Sequence, residues 1–328
     1  MIRVSFHTLE ETFLKVLCAL GFDQEKAGIC ATVFAENSRD GINSHGLNRF
    51  APFVEYIRNG HIDIHAEPSL ESAEGALETW NGNLAPGILN AKHAMARAIA
   101  LSKQYRIGCV AIRNTNHWMR GGTYGWQAAD AGCIGICFTN TIANMPAWGG
   151  IDPRLGNNPL VIAVPRKEGP IVLDMAMSQY AYGKLHEYQL RGEKLPFAGG
   201  FDKEGALSVD AGAIIESRRS LPVGFWKGAG LSLMLDLLVT VLSRGKSTAE
   251  LSKTPIESGI SQVFICIDPK EDQETAQLIA QVLSYTKSGK ADKDIYYPGE
   301  RMMKTRRENM EKGIPVDETI WQTILDLV

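Results

Sequence analysis

The chain has 328 residues, 45% of them hydrophobic, with 34 Lys and Arg against 37 Asp and Glu. Such a composition is typical of a globular protein with a sizeable core, and the formal net charge of −3 argues against a nucleic-acid or membrane partner. Residues 1–7 lack the blocks of a signal peptide, and six cysteines without a Cys-x-x-Cys pair predict a reduced, cytoplasmic protein without a metal site.

Helices are predicted at both ends of the chain and between the strands of its middle. Thr8-Leu9-Glu10-Glu11 has the pattern of a capping box before apolar residues at helical spacing, and residues from Glu274 onward return to that spacing. Further helices are predicted over 23–36, 86–105, 123–131, 179–190 and 227–242, and strands over 108–112, 134–138, 160–164, 171–175 and 262–267.

This order of elements predicts a mixed α/β fold. Residues 1–70 and 272–328 are expected to form a mainly helical domain, and residues 71–271 an α/β domain. A doubly wound dinucleotide fold carries Gly-x-Gly-x-x-Gly after a strand, whereas the nearest fragment, Gly228-Ala229-Gly230, lacks the third glycine. A dinucleotide would therefore bind without the usual fingerprint.

The segment Ser44-His45-Gly46-Leu47-Asn48-Arg49-Phe50 places an imidazole four residues before a guanidinium. If a helix starts near Ser44, the two groups share one face. Arg49 could then hold a carboxylate through two hydrogen bonds while His45 serves the proton at the adjacent carbon of a 2-keto or 2-hydroxy acid. The alternative interpretation is an N-terminal cap followed by a solvated arginine.

A second dense segment, 114–126, lies between a predicted strand and a predicted helix, where α/β sheets bind ligands. His117 is a second candidate acid or base. Arg120 and the amides of Gly121-Gly122 are expected to receive an anion at the helix start. The alternative is a glycine-rich turn with aromatic side chains packed in the core.

Two further segments have features that suit a dinucleotide. The strand 171–175 is followed by Ser178, a candidate helix cap whose neighbouring amides could hold a pyrophosphate. Phe225-Trp226-Lys227-Gly228 places aromatic rings next to a cation. Both patterns are also common at ordinary helix starts.

Taken in order, several motifs resemble those of the type-2 malate/L-lactate dehydrogenases over nearly the whole chain. They are Ser44-His45-Gly46-x-x-Arg49, Asn116-His117, Pro146-x-x-Gly149-Gly150, Gly156-x-Asn158-Pro159 and Pro298-Gly299-Glu300. Within that family, 117–122 and 224–228 are most similar to the reductases of a diketo sugar acid. Asn157 and the stretch 199–202 depart from the common family pattern, so we expect them to affect the shape of the substrate pocket.

The resemblance implies a non-Rossmann nicotinamide-binding fold, a homodimer, and NADH in an extended groove, with NADPH as the alternative. The family's acid/base histidine falls on His45, and some relatives use the position of His117. Substrate-binding residues are expected at Ser44, Arg49, Asn116 and Arg120. The cofactor segments map to Pro170, Ile171, Val172, Leu173, Asp174, Met175, Ala176, Trp226, Lys227, Gly299, Glu300 and Arg301.

The expected reaction is reduction of a small 2-keto acid, with protonated His45 donating to the new alkoxide. That role needs a nearby anion to favour the imidazolium, either the substrate carboxylate or an acidic side chain. Sibling activities on malate, lactate, ureidoglycolate or a cyclic imine use the same residue types. A metal-dependent lyase or isomerase and a non-catalytic binding protein are the alternatives from other classes.

Overall fold

The computed structural model describes residues 2–269, 273–291 and 293–328. The strands are β1 (Ile2–Val4), β2 (Ser69–Glu74), β3 (Leu77–Asn81), β4 (Ile107–Thr115), β5 (Ile134–Thr139), β6 (Met145–Pro146), β7 (Pro153–Leu155), β8 (Leu160–Val164), β9 (Ile171–Met175), β10 (Gly200–Phe201), β11 (Leu207–Ser208), β12 (Ile260–Ile267) and β13 (Ile314–Val316). The helices are α1 (Phe6–Ala19), α2 (Gln24–Arg39), α3 (Leu47–Arg58), α4 (Gly87–Tyr105), α5 (Gly122–Asp130), α6 (Tyr182–Arg191), α7 (Ala211–Ser217), α8 (Trp226–Ser243), α9 (Thr248–Leu251), α10 (Gln273–Lys287), α11 (Glu300–Lys312) and α12 (Glu318–Leu325), with a 3-10 turn at Asn43–His45.

The central sheet has seven strands in the order β2-β3-β4-β12-β5-β8-β9. Only β3 and β4 run parallel, and every other neighbouring pair is antiparallel. A doubly wound nucleotide fold requires a mostly parallel sheet. The predicted mixed α/β fold without Rossmann topology is therefore confirmed.

Helices cover both faces of this sheet. Side chains of β12 alternate between the faces, with Phe264 packed toward α4 and α5, and Val263 packed toward α8. The alanines of α4 allow that helix to lie close to the strands, because small side chains keep the two backbones near each other. The result is a helix–sheet–helix arrangement whose loops at one end carry polar side chains.

The N-terminal helices pack around a cluster of phenylalanines. The rings of Phe13 and Phe50 lie 4.3 Å apart between centroids, and Phe34 meets Phe50 edge-on at 5.1 Å. Side chains of β13 and α12 join the same core, and β1 pairs with β13, so the two ends of the chain meet. Because Phe50 follows Arg49 directly, this core fixes the start of α3 where the candidate site begins.

The predicted domain division remains a prediction. Its first boundary, at residue 70, falls inside β2, and its second, between 271 and 272, lies outside the described residues. The predicted helix cap at Ser178 is wrong, because α6 begins at Tyr182 after Ala181 and the Ser178 hydroxyl donates to the carbonyl of Tyr180 at 2.8 Å.

Helix α8 is apolar on two sides. One side packs on the sheet, while the other exposes a continuous apolar face made of Leu231, Leu233, Met234, Leu237, Leu238 and Val241. Within the described part of the chain it is the one helix long and apolar enough to cross a membrane, and a third of it is buried against the protein.

Candidate active site

Two histidines from distant parts of the chain lie face to face. The rings of His45 and His117 are 5.6 Å apart between centroids and tilted by 17°. His45 ends the 3-10 turn before α3, and His117 lies in the loop between β4 and α5. Sequence analysis proposed each as an acid or base, and the fold brings both to one place.

The hydrogen bonding of His117 determines its tautomer. The backbone N–H of Met119 donates to His117 Nδ1 at 3.0 Å, so this nitrogen carries no hydrogen. Met119 reaches that position through a left-handed backbone with φ of 66°, and the Tyr124 hydroxyl fixes the loop by donating to the Trp118 carbonyl at 2.6 Å. Neutral His117 therefore carries its hydrogen on Nε2 and is a hydrogen-bond donor there.

The turn that carries His45 is held tightly against α2. The Asn37 side chain donates to the His45 carbonyl at 2.9 Å, and a Cβ on Gly46 would lie 2.3 Å from the hydroxyl oxygen of Ser38. Ser44 Oγ lies 3.0 Å from His45 Nδ1, within hydrogen-bonding distance. His45 Nε2 is therefore the nitrogen left for a substrate.

Arg49 is the cation of this site. Among residues 2–269, 273–291 and 293–328, no acceptor makes a hydrogen bond or ion pair with its guanidinium. Burial, and then the charges of Arg49 and Arg120, lower the pKa of His45 to about 4. Burial, Arg49 and His45 also lower the pKa of His117 well below its usual value. Both imidazoles are thus neutral at pH 7 before an anion arrives.

Sequence analysis missed Glu257, a half-buried residue whose carboxyl group interacts electrostatically with Arg49. Its carboxylate accepts the backbone N–H of Ile142 at 3.2 Å. Burial raises the pKa of Glu257, whereas the Arg49 charge and the Ile142 N–H oppose that rise. The residue lies in the loop before β12, a segment that carries no motif to single it out.

The anion expected at the start of α5 is supplied by the protein itself. The N–H of Gly122 donates to the Asp174 carboxylate at 2.8 Å. Arg120 lies 3.7 Å from the same carboxylate and pairs with Asp40 at 2.8 Å. Burial raises the pKa of Asp174, opposed by Arg120 and the Gly122 amide. The helix start therefore holds an internal ion pair where the sequence suggested a ligand.

The polar side-chain atoms of Asn116 also make hydrogen bonds within the protein. Its Nδ2 donates to the carbonyls of Leu84 and Ala85, and its Oδ1 accepts from the Ser258 hydroxyl at 3.1 Å. Its backbone carbonyl accepts from Gln262 Nε2 at 3.1 Å. Asn116 thus places His117, its neighbour in the chain. Of the predicted substrate residues, Arg49 is the one whose side chain makes no hydrogen bond within the described part of the chain.

Two of the three predicted cofactor segments, 170–176 and 299–301, adjoin one another. Val172 N–H, on the outer edge of β9, donates to the Pro298 carbonyl at 3.2 Å, which places 299–301 beside 170–176. A cavity of about 430 Å³ lies at this point, between the start of α11 and the end of α2. Its lining consists of Asp40, Gly41, Ile42, Tyr296, Tyr297, Gly299, Arg301, Met302 and Thr305.

The third predicted cofactor segment lies at the other end of β9. Met177, just past that strand, accepts the N–H of Val223, and this contact brings the start of α8 to the strand end. Trp226 is 62% exposed there, and the ring of its neighbour Phe225 lies 5.7 Å from that of Trp148. An exposed aromatic surface next to Lys227 suits the planar rings and phosphates of a dinucleotide.

Solved structures place this fold among the dehydrogenases of hydroxy acids. The crystal structure of malate dehydrogenase from Entamoeba histolytica matches with a TM-score of 0.94 and 26% identity, covering 99% of this chain and 97% of that one. The family model of malate/L-lactate dehydrogenase matches residues 4–325. The chain belongs to the malate/L-lactate dehydrogenase family and is an oxidoreductase.

Curated relatives narrow the comparison. The chain is 44% identical to the 2,3-diketo-L-gulonate reductase of Citrobacter koseri over 98% of this chain and 99% of that protein. The enzyme of the same name from Escherichia coli K12 gives the same identity and the same coverage. The resemblance of the chain to the diketo sugar acid reductases is thereby confirmed.

Proposed function

We propose that the protein reduces 2,3-diketo-L-gulonate to 3-dehydro-L-gulonate with NADH. The observation that supports it best is the guanidinium of Arg49, which makes no hydrogen bond or ion pair within the described residues and lies beside a pair of stacked neutral histidines, in a chain 44% identical to reductases of that name. A 2-keto acid offers a carboxylate next to a carbonyl. The site offers a cation next to two imidazoles.

Each of the three side chains has a role in this proposal. Arg49 binds the C1 carboxylate through two parallel hydrogen bonds, as guanidinium groups do. His117 donates from Nε2 to the C2 oxygen, since its Nδ1 accepts the N–H of Met119. His45 delivers the proton to that oxygen from Nε2, while Ser44 hydrogen-bonds Nδ1 and orients the ring.

The charge of the substrate explains how His45 gains a proton. The charges that act on this imidazole in the described structure are the cations Arg49 and Arg120, so no acidic side chain favours its imidazolium. A substrate carboxylate on Arg49 offsets the nearer cation and raises the pKa of His45 from about 4 toward its usual value. Substrate binding and proton uptake are therefore coupled.

The residues around β9 fit a nicotinamide dinucleotide. Gly299 has a φ of 91° and its added Cβ would lie 3.4 Å from the Val172 nitrogen, so the loop passes close to the strand and forms the groove wall. We propose that 170–176, 299–301, Trp226 and Lys227 hold the cofactor. The chemistry that a bound reduced nicotinamide supplies is hydride transfer to the C2 carbonyl carbon.

The test is the loss of reduced-nicotinamide absorbance with 2,3-diketo-L-gulonate, run in parallel with NADH and NADPH. We expect saturable oxidation of NADH, with NADPH oxidised more slowly. Malate, lactate and ureidoglycolate with the oxidised cofactor, and a cyclic imine with the reduced one, form the comparison panel. A faster rate with a compound of the panel would identify that compound as the substrate in place of 2,3-diketo-L-gulonate. Activity lost on adding a chelator would favour a metal-dependent lyase or isomerase.

We also propose that the protein is a cytoplasmic homodimer, joined through the exposed face of α8. The stripe formed by Met234, Leu237, Leu238 and Val241 is apolar, and such stripes on soluble proteins mark protein contacts. A second copy is the simplest occupant, because a two-fold axis pairs the face with itself. The six cysteines are free thiols, as expected in a reducing compartment.

Leu237→Glu is expected to convert the dimer into a monomer. Each dimer would bury two carboxylates in an apolar contact, and a cost of about 3 kcal/mol weakens association roughly a hundredfold. Sedimentation velocity over a range of concentrations measures the change. Leu278→Glu, at an exposed position of α10, is the matched control. A wild-type protein that sediments as a monomer contradicts this assembly.

A further inference from the structure

Asp40, the residue that follows α2, is the centre of an ionic cluster. Its Oδ1 accepts from Arg306 Nε at 2.8 Å and Arg39 Nε at 3.0 Å. Its Oδ2 accepts from Arg306 Nη2 at 2.7 Å and Arg120 Nη1 at 2.8 Å. Only 2% of the side chain is exposed. With two charge-assisted hydrogen bonds on each oxygen, this carboxylate has no lone pair left for a substrate or a proton.

The three arginines come from three different parts of the fold. Arg39 ends α2, Arg120 precedes α5, and Arg306 lies in α11 with its guanidinium 4.3 Å from the ring of Trp126. Arg120 also lies 3.7 Å from Asp174 of β9. The cluster therefore connects the N-terminal helices, the loop of His117, helix α11 and the edge strand β9 of the sheet.

The ionic cluster adjoins both the turn that carries His45 and the cavity beside the proposed cofactor segment 299–301. His45 follows Asp40 by five positions, and Asp40 lines the same cavity as Gly299 and Arg301. A shift of this carboxylate would move the turn carrying His45 relative to the groove. Hydride and proton transfer to one carbonyl need both sides in register, and misplacement of about 1 Å can cost roughly a hundredfold in rate.

We propose that Asp40 is a positioning residue, which fixes the His45 turn against α11 and the strand β9 through Arg306 and Arg120. The proposal rests on the roles given above to His45 and to segments 170–176 and 299–301. It extends them to a carboxylate whose oxygens are taken up by arginine side chains and which acts through those arginines. Within the described structure, Arg306 is the one residue of α11 that pairs with Asp40.

Charges around the cluster give the proposal a second consequence. Asp40 faces Arg39, Arg120 and Arg306; beyond them, Arg39 pairs with Glu36, and Arg306 also interacts with Asp130. Burial raises the pKa of the Asp40 carboxyl, but the three guanidiniums hold it below its usual value, so it is an anion.

The ionic cluster affects the pKa of His45 through the charge of Arg120. The groups that act on it are Arg49 in α3 and Arg120 before α5, with His117 stacked on the ring. Removing the negative charge of Asp40 leaves Arg120 less compensated, and the stronger positive field lowers the pKa of His45 further. Keto-acid reduction needs protonated His45. As the pH increases, the rate should therefore begin to fall at a lower pH than in the wild type.

The experiment compares Asp40→Asn and Arg306→Met with the control Arg307→Met in the intact protein. Arg307 is an exposed neighbour in α11, so the control removes the same charge from the same helix. At saturating NADH we expect the first two variants to lose about 10- to 100-fold in kcat, with KM for the keto acid within about threefold. Arg307→Met is expected to retain the wild-type rate.

The pH profile distinguishes positioning from a general loss of stability. In Asp40→Asn the fall in kcat/KM is expected at lower pH than in the wild type, and in Asp40→Asn/Arg306→Met, which restores the net charge, it is expected to return toward the wild-type pH. Should Asp40→Asn fail to fold, Arg306→Met keeps two arginines on Asp40 and provides the rate test.

Three results would overturn the proposal. They are a kcat within threefold of wild type in the folded variants, a rise in KM for the keto acid in place of a fall in kcat, and an equal loss in Arg307→Met. His45→Gln is measured alongside. If that variant keeps its rate, the proposed role of His45 fails, whereas the kcat and KM of the Asp40 and Arg306 variants still report on positioning.

Discussion

His45→Gln is expected to lower kcat for keto-acid reduction by about 10²–10⁴-fold, the range of general acid catalysis. Glutamine can still hydrogen-bond the Ser44 hydroxyl but cannot carry a proton to the new alkoxide. NADH affinity, read from nicotinamide fluorescence, should stay near the wild-type value, because the proposed cofactor segments lie on β9, α8 and α11. Steady-state rates at saturating NADH measure the loss.

Two further histidine variants make this test specific. His7→Gln, at a side chain 77% exposed, is the matched control and should behave as wild type. His117→Gln keeps a donor near the Nε2 position, so we expect a smaller loss than for His45→Gln. The opposite order, with only a few-fold loss at His45, would assign the proton transfer to His117.

Local patterns in the sequence were sufficient for most of the sheet. Strands 160–164 and 171–175 have the predicted bounds, because both are short apolar runs between turn residues. The hairpin of β2 and β3 was missed, since every residue of β2 is exposed and the segment has no buried apolar face to give alternation. Its stability comes from pairing with β3, a contact that no local pattern reports.

Individual residues of the candidate site could be predicted from the sequence, but the contacts between them could not. His45 and His117 stood out because each lies among turn residues and glycines, yet their stacking depends on how α2, α4 and the sheet pack. Asp40 lies in no motif that the sequence analysis singled out, and one of its three arginine partners lies 266 residues away. Asp174, the one acid in an apolar strand, was the available signal for the ion pair with Arg120.

Arg49→Met is expected to raise KM for the keto acid strongly. Loss of one partner from a desolvated charge pair costs about 2–5 kcal/mol, or roughly 30- to 5,000-fold in affinity. Arg49→Lys keeps the charge but loses the two-pronged geometry, so its KM should fall between the wild type and Arg49→Met. Initial rates against substrate concentration give these values, and an unchanged KM in Arg49→Met would contradict the carboxylate contact.

The same variant should also change the pH dependence, in a direction that separates Arg49 from Asp40. Burial and then the Arg49 charge lower the pKa of His45 to about 4 in the free enzyme. Without that cation the pKa of His45 rises, so the fall of kcat/KM with increasing pH should begin at a higher pH than in the wild type. Arg49→Lys, which retains the cation, should leave this limb near its wild-type position. Asp40→Asn is expected to move it the other way, because that change makes the field at His45 more positive.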